Sequence, residues 1–382
     1  MRLGLEPMRE ACARAGHPER AFEIVHVAGT NGKGSTCAMV DAMARAAGRR
    51  TGLYTSPHLV RFAERIRVAG EPIADEALAA ALEEALEVGS DLSFFEVATF
   101  AALLAFRAAG VDLAVLEVGL GGRLDATNIV TPHVTAITGI ALDHQDMLGD
   151  TLDAIAREKA AIAKPGVPMV LGAMPDEARA AAVEVAAAGG ARVVEALRLP
   201  ADVRVGLLGP HQRENARVAW TIGAELGLSD GARARGLAEA RWPGRLERVE
   251  VRGGDLAGPW LLDGAHNPEG ARALVRALEG EDVGAVVFGA LDDKAWREML
   301  GAIAAGLDAP RVYVAPAGRA AADLAELRGI ADGSVASAVA EALRAARRTA
   351  GARCVVVCGS LYLVGEARAG LLGLPRDPTV AL

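Results

Sequence analysis

EIVHVAGTNGKGST, residues 23–36, decides how the rest of the chain is read. Its opening run, EIVHVAG at 23–29, is apolar and β-branched and ends in glycine, which predicts a buried strand. Residues 33–47 predict a helix. Between the two stand Gly29, Thr30, Asn31, Gly32, Lys33, Gly34 and Ser35. Glycines at such a junction let backbone N–H groups close around phosphate oxygens. The helix that follows presents the positive end of its dipole, and Lys33 adds a mobile cation. The stretch departs from the G-x-x-x-x-G-K-[ST] pattern: Val27 stands where the first glycine belongs, and Gly34 separates Lys33 from Ser35 and Thr36. A Gly-rich turn with no ligand is the bland alternative, and the strand-to-helix context speaks against it.

Outward from this loop, short apolar runs alternate with helical stretches. RTGLYTS (50–56), DLAVLEVG (112–119) and HVTAITGI (133–140) read as strands, and FEVATFAALLAFRAAG (95–110), 151–163 and 211–226 as helices. Continuous apolar strands separated by helices predict a parallel sheet covered on both faces. ARWPGRLE (240–247) interrupts helical periodicity and reads as a hinge. The alternation then restarts with WLLDG, a helix from Pro268, GAVVFG, a helix around 293–305, RVYVA, helices to about 350, and RCVVVCG. The expected division is 1–244 and 245–382, with no internal repeat.

Composition fits this. A chain of 382 residues is long for one core, and 52% hydrophobic with 24% charged residues suits two globular units. Aromatics are only 4%, so the core must be built from Ala, Val and Leu. A net charge of -8 with no Lys/Arg block argues against a nucleic-acid partner. Cys12, Cys37, Cys354 and Cys358 form no CxxC pair and are expected to be reduced thiols. No signal peptide is visible, and no run reaches the ~20 apolar residues needed to cross a bilayer, so the expected location is cytoplasmic with no membrane partner. Basic residues are nearly all arginine: Lys33, Lys159, Lys164 and Lys294 are the only lysines, which singles out all four.

Further candidates cluster at strand ends, where ligands of open α/β sheets bind. Glu117 ends DLAVLE; it is either a carboxylate held by a local hydrogen bond or a metal ligand, and a neighbouring phosphate loop favours Mg²⁺. His144, in DHQDMLGDTLDAIAREKAAIAKPG (143–166), is either structural or a ligand. Lys159 of the same stretch is a surface lysine or part of the chemistry. In TSPHLVRFAERIRVAG (55–70), Ser56 could reach a metal, while Arg65 and Arg67 are solvated or bind carboxylates bidentately. In the second unit, Arg245 lies at the hinge, and Asp263, His266 and Asn267 lie on a strand-to-helix turn before Pro268.

Together these stretches resemble the folylpolyglutamate synthase/dihydrofolate synthase family, a branch of the Mur ligase superfamily. HVAGTNGKGST, TSPHL, EVGLGGRLDATNIV, DH-x-x-x-LG-x-T, IA-x-EKA, HQ-x-x-N, WPGRLE, LDGAHNP and CGSLYLVGE occur in the family's order from residue 3 to 366. The resemblance implies an α/β chain: a P-loop-containing, Mur-ligase-like central domain with a mostly parallel sheet, and a smaller Rossmann-like C-terminal domain. It implies that Gly29 to Ser35 hold ATP phosphates, with Asn215, Arg245 and Asp263 as further nucleotide contacts. Ser56, Glu117 and His144 match ligands of one or two Mg²⁺ ions, and Lys159 matches a lysine carbamylated by CO₂. Ser93, Phe94, Phe95 and Glu96, with Leu124, Asp125 and Ala126, match segments that contact folate or dihydropteroate, Ser93 standing for the usual Thr. Arg65, His266 and Ser360 match the glutamate or folate end. Departures are a start at LGLE, a short segment at 172–208, and IALDH in place of IGxDH.

The implied enzyme is a monomer. It activates a substrate carboxylate as an acyl phosphate with ATP and then joins L-glutamate to it. Two other readings compete. Another Mur-type ligase would need a UDP-sugar domain ahead of the phosphate loop, where about 25 residues stand. A P-loop NTPase switch would need an NKxD motif, which the chain lacks.

Overall fold

Strands that are apolar on both faces need cover on both, and parallel neighbours need a crossover connection. Helices supply both here. A computed structural model describes residues 4–377 and divides them into two compact units. The first holds the chain up to Pro57, Ala63–Gly206 and Gln212–Arg241. The second holds His58–Phe62, Leu207–His211 and the chain from Trp242 onward.

The first unit runs α1 (Glu6–Arg14), β1 (Glu23–Ala28), α2 (Lys33–Ala46), β2 (Thr51–Tyr54), β3 (Ile66–Val68), β4 (Glu71–Pro72), α3 (Asp75–Val88) and α4 (Phe94–Ala108). It continues through β5 (Leu113–Glu117), β6 (Val134–Ile137), α5 (Gln145–Leu148), α6 (Leu152–Ala160), β7 (Pro168–Leu171), α7 (Asp176–Ala188), β8 (Arg192–Glu195), α8 (Pro210–Glu225) and α9 (Asp230–Glu239). The eight strands lie in the order β4-β3-β2-β5-β1-β6-β7-β8. The pairs along β2-β5-β1-β6-β7-β8 are parallel, and the β2–β3 and β3–β4 pairs are antiparallel. β1 therefore sits between β5 and β6, and its carboxyl end opens at the place where the strand order switches direction.

The core is built as the composition requires. On one face Ile24, Leu116, Tyr54, Phe100 and Phe106 pack with alanines of α3 and α4. On the other, Ala28, Ile137, Met169 and Leu171 pack with Ile155, Ala160, Ala178 and Ala182. Alanine lets helices lie close to the sheet and to each other. The limit is α2 against α9, where a Cβ on Gly236 would stand 2.3 Å from Met43 Cα. Local signals set the helix starts: Ser93 and Glu96 form a capping box on α4, and Thr151 Oγ1 accepts from Ala154 N at α6.

The second unit contains β9 (Glu247–Val251), β10 (Gly258–Asp263), α10 (Pro268–Ala277), β11 (Val283–Phe288), α11 (Trp296–Gly306), β12 (Arg311–Tyr313), α12 (Leu324–Ile330), β13 (Ser334–Val335), α13 (Val339–Ala350), β14 (Cys354–Cys358) and α14 (Leu361–Leu372). Its strand order is β13-β12-β11-β14-β10-β9, parallel except for β9. Both units are thus α/β with mostly parallel sheets. The second half of TSPHLVRFAERIRVAG carries no clear strand pattern, yet β3 forms there and β4 directly after it. β9 was also missed: its alternating ERVEV has a single buried residue, Val249, as suits an edge strand. No described helix is long and apolar enough to cross a membrane.

Because α2 begins in the phosphate loop, its seat on α9 bears on the site. Gly236→Val is expected to lower unfolding stability by about 1–3 kcal/mol, since backbone rather than a mobile side chain blocks the added methyls. A urea midpoint unchanged from the parent would contradict this.

Candidate active site

The loop after β1 takes its shape from two glycines in the left-handed region. Gly29 has φ 144°, and a Cβ there would fall 2.0 Å from Thr138 Oγ1. Gly32 has φ 85°, and its Cβ would fall 2.2 Å from Asn215 Oδ1. Neighbouring groups hold the loop: Thr30 N donates to Gly139 O at 2.8 Å, and Thr138 Oγ1 donates to Asn31 O at 2.6 Å. Asn215 Nδ2 donates to Gln212 Oε1 at 3.0 Å, and Gln212 Nε2 donates to Ser35 Oγ at 3.2 Å. Lys33 Nζ folds onto Gly29 O and Thr30 O at 3.0 and 3.2 Å. α2 starts at Lys33, so its unpaired first-turn N–H groups add positive potential at the same place. Gln212 and Thr138 carried no assigned role in the sequence reading. The signal for Gln212 was its i, i+3 spacing to Asn215 on a helix.

Glu117 ends β5 directly beside Val27 of β1. It is 6% exposed, and its Oε2 accepts from Ser56 N at 3.1 Å, so these two expected metal ligands meet. The Cys37 thiol, on the first turns of α2, is pushed up by burial and by the Glu117 charge and pulled down by Lys33. Glu117 and Lys33 therefore act at one place. His144 differs from its expected strand-end position: β6 stops at Ile137, and His144 precedes α5 at φ 51° with an exposed ring 3.8 Å from Asp143 Oδ1. Among the described residues no three His, Cys, Asp or Glu side chains converge. The expected set has one carboxylate, one hydroxyl and one imidazole, and its hard oxygen donors at a phosphate loop suit Mg²⁺.

Lys159 is not the solvated helix lysine that its sequence neighbours allowed. It is 5% exposed on α6. Burial brings its pKa down to about 7, the Lys33 charge adds to the fall, and Asp143, Asp125 and Glu158 oppose it. The loop before it fits closely: a Cβ on Gly122 would stand 2.8 Å from the carbonyl oxygens of Glu158 and Lys159. Three features expected from separate motifs, Lys33, Lys159 and Asp125, thus share one electrostatic neighbourhood.

The segments expected to meet folate also lie together. Phe95 packs over Gly119, and Tyr54 lies 6.3 Å from the Phe95 ring. Phe94 is half exposed, with the Arg65 guanidinium 5.5 Å from its centroid. Arg65 therefore stands with Phe94 in the first unit. Ser93 and Glu96 use their side chains to cap α4. The buried Asp125 carboxyl is pushed up by burial and pulled down by hydrogen bonds from Thr127, Leu120 N and Gly119 N. Leu124 and Ala126 flank it in the chain.

In the second unit the expected residues gather at the carboxyl ends of β10 and β14, which are adjacent and parallel. Asp263 accepts from Leu246 N at 2.9 Å and Ala265 N at 3.0 Å. Burial raises its pKa, and the Arg245 charge opposes this. Gly264 is packed under the Arg245 guanidinium, whose Nη1 lies 2.2 Å from where a Cβ would be. His266 Nδ1 lies 2.8 Å from Gly264 O, Asn267 Oδ1 accepts from Gly270 N at the start of α10, and Ser360 Oγ accepts from Tyr362 N at the start of α14. His211, unassigned in the sequence reading, is lowered by burial beside Asp263.

Two family models match the chain: "Mur ligase middle domain" at residues 27–168 and "Mur ligase, glutamate ligase domain" at 244–361. The fold and the phosphate loop are those of an ATP-dependent, Mur-type ligase. "Dihydrofolate synthase/folylpolyglutamate synthase" of Bacillus subtilis is 35% identical, over 96% of this chain and 94% of that protein. The chain belongs to the folylpolyglutamate synthase/dihydrofolate synthase family. A Haloferax volcanii relative named "Probable bifunctional folylpolyglutamate synthase/dihydropteroate synthase" is 39% identical, and the chain spans 48% of its length. Among solved structures, Escherichia coli FolC in complex with DHPP and ADP matches with TM-score 0.88 and 32% identity, over 98% of this chain and 94% of that one. The Yersinia pestis bifunctional enzyme with AMPPNP and Mn ion matches with TM-score 0.87 and 35% identity, over 98% and 94%.

The lowered Lys159 has a consequence for stability. The unfolded chain holds its lysine proton up to about pH 10.4 and the folded chain only to about pH 7, so between these values the unfolded state binds more protons and stability rises with pH. In CO₂-free buffer, Lys159→Met is expected to remove a rise on the order of 2 kcal/mol between pH 7.5 and 9.5. Identical pH slopes for parent and variant in urea unfolding would contradict the buried, mostly neutral amine.

Proposed function

We propose that this chain joins L-glutamate to the carboxylate of a pterin-containing acid, either the tail of a folate or dihydropteroate, and converts ATP to ADP and phosphate. One observation carries the reading: the phosphate loop with Lys33 stands at the strand edge that holds Glu117 and Ser56, and the buried Lys159 of α6 lies within reach of the Lys33 charge. The "glutamate ligase domain" match at 244–361 and the names of the relatives support glutamate as the incoming amine.

In the first step a carboxylate oxygen of the acceptor attacks the γ-phosphorus, the bond to the β,γ-bridging oxygen breaks, and ADP leaves with that electron pair. Anion meets anion, so charge neutralisation sets the barrier. Lys33 exchanges its two carbonyl partners for phosphate oxygens, and the loop N–H groups bind the others. Mg²⁺ held by Ser56, Glu117 and His144 would supply further neutralisation of the phosphate charge. In the second step the glutamate nitrogen attacks the acyl carbon, the C–O bond to phosphate breaks, and the ammonium-like nitrogen loses a proton. Asn215, Arg245 and Asp263 are proposed as nucleotide contacts, and Arg65, His266 and Ser360 as contacts for substrate carboxylates. Phe94, Phe95 and the Leu124–Asp125–Ala126 turn are proposed for the pterin end, with the Ser93–Glu96 cap fixing the first two.

Lys159 is proposed to carry a carbamate. Its neutral nitrogen attacks the carbon of CO₂, a C–N bond forms as one C=O π pair moves onto oxygen, and the nitrogen loses one proton to solvent. An ordinary lysine is neutral in roughly one molecule in 2,500 at pH 7. A pKa of about 7 makes half of the Lys159 population nucleophilic. The product replaces a cation beside Lys33 with an anion, which relieves the repulsion and supplies another hard oxygen donor. The four cysteines of the chain are all free thiols, which accords with action in a reducing cytoplasm.

Phosphate release from ATP is expected to require both L-glutamate and either tetrahydrofolate or dihydropteroate, and the acceptor that works decides between the two activities. Release that is equally fast without the amine would overturn the ligase reading in favour of an NTPase. Lys159→Ala is expected to lower kcat at least 100-fold, and ¹³C-bicarbonate should give the parent, but not this variant, a carbamate resonance. Full activity in the variant would remove Lys159 from the mechanism.

A further inference from the structure

β1 carries a histidine where packing alone calls for an apolar residue. His26 is fully buried and paired on both sides, with Leu116 of β5 and Thr135 of β6. Strand alternation puts its side chain on the face of Ile24, which packs with Leu116, Ala126 and Val130. Its Nε2 lies 2.7 Å from Thr127 Oγ1. The Thr127 hydroxyl has one proton and donates it to Asp125 Oδ1 at 2.5 Å. Nε2 must then be the protonated nitrogen and donate to Thr127. Nδ1 is left as a bare acceptor with no partner among the described residues. Burial keeps the ring neutral, with a pKa near 3. A leucine would fill the space and leave no ring nitrogen unpaired, so the use of the imidazole lies in its single bond to Thr127.

That bond ends on a loop with chemistry of its own. Asp125 Oδ1 also accepts from Thr127 N at 3.0 Å, and its Oδ2 accepts from Leu120 N at 2.9 Å. The far end of the loop is held by another of the four lysines: Lys164 Nζ donates to Asn128 Oδ1 at 2.8 Å and to Asn128 O at 3.2 Å, while Asn128 Nδ2 donates to Arg123 O at 3.1 Å. The 120–128 loop is thus closed on itself through Asp125 and held at its far end by Lys164, and the tie from Thr127 runs to the strand that leads into the phosphate loop.

We propose that His26 is a positioning residue for the acceptor: through Thr127 it fixes Asp125 and the turn that meets the pterin-containing acid, relative to the strand that carries the phosphate loop. This rests on the functional reading above. The nucleotide side does not depend on the tie, because Thr138, Gly139 and Asn215 hold the phosphate loop separately.

The test is steady-state kinetics on the full chain, with ATP and the acceptor varied separately. His26→Leu is expected to raise the acceptor KM at least tenfold, with the ATP KM and kcat within about twofold. His26→Gln, whose amide N–H can replace Nε2–H, is expected to recover most of the loss. Thr127→Val, which cuts the same link from the loop side, should match His26→Leu and add nothing to it in the double variant. It also carries the test if His26→Leu does not fold. An unchanged acceptor KM, an equal rise in both KM values, or a glutamine variant as impaired as leucine would overturn the role of His26. A parent protein that glutamylates neither dihydropteroate nor tetrahydrofolate would instead overturn the functional reading.

Discussion

Two lysine side chains share one poorly hydrated place, and the rest of the site follows from what that requires. Lys33 disfavours the charge on Lys159, and Lys159 is almost closed to water. Left alone, such a pair would shed a proton or spread apart. The chain answers with acidic groups on three different segments: Asp125 on the loop after β5, Asp143 ahead of α5, and Glu158 on α6. A triphosphate suits Lys33, which meets only two neutral carbonyl oxygens in this loop. The site is therefore organised before substrate arrives, which is where electrostatic catalysis draws most of its effect.

The parallel sheet makes that convergence possible. β1, β5 and β6 are neighbours that all end on one edge, so residues more than a hundred positions apart in sequence reach the phosphate loop. Glu117 meets Ser56 across β2 and β5, while Thr138 supports Asn31 from the end of β6. Small residues set the distances. Gly29, Gly32 and Gly122 each stand where one added carbon would strike a group that shapes the site.

Much of this was legible in the sequence because period and composition agree. EIVHVAG, DLAVLE and HVTAI carry apolar residues on both strand faces, as a strand covered on both sides requires, and the TNGKGST loop follows the first of them directly. Short or edge elements were not legible. β3 and β4 have few residues and little apolar signal, and ERVEV exposes most of its length at the sheet margin. Site residues known by type and spacing were found; those known only by contact were not. Nothing in the order of residues shows that Lys159 is buried, that Arg65 reaches Phe94, or that His26 meets Thr127, since each contact joins distant segments. Glu96 shows the reverse limit, for its position in SFFE also satisfies a helix cap, and the structure uses it there.

The most direct test of the account is a crystal structure with AMPPNP and Mn²⁺, read at the manganese absorption edge. The account predicts an anomalous peak touching Ser56 Oγ, a Glu117 carboxylate oxygen and a phosphate oxygen, with Lys33 Nζ turned from Gly29 O and Thr30 O onto the phosphates. A nucleotide bound away from the Gly29–Ser35 loop, or manganese held by none of these side chains, would contradict it.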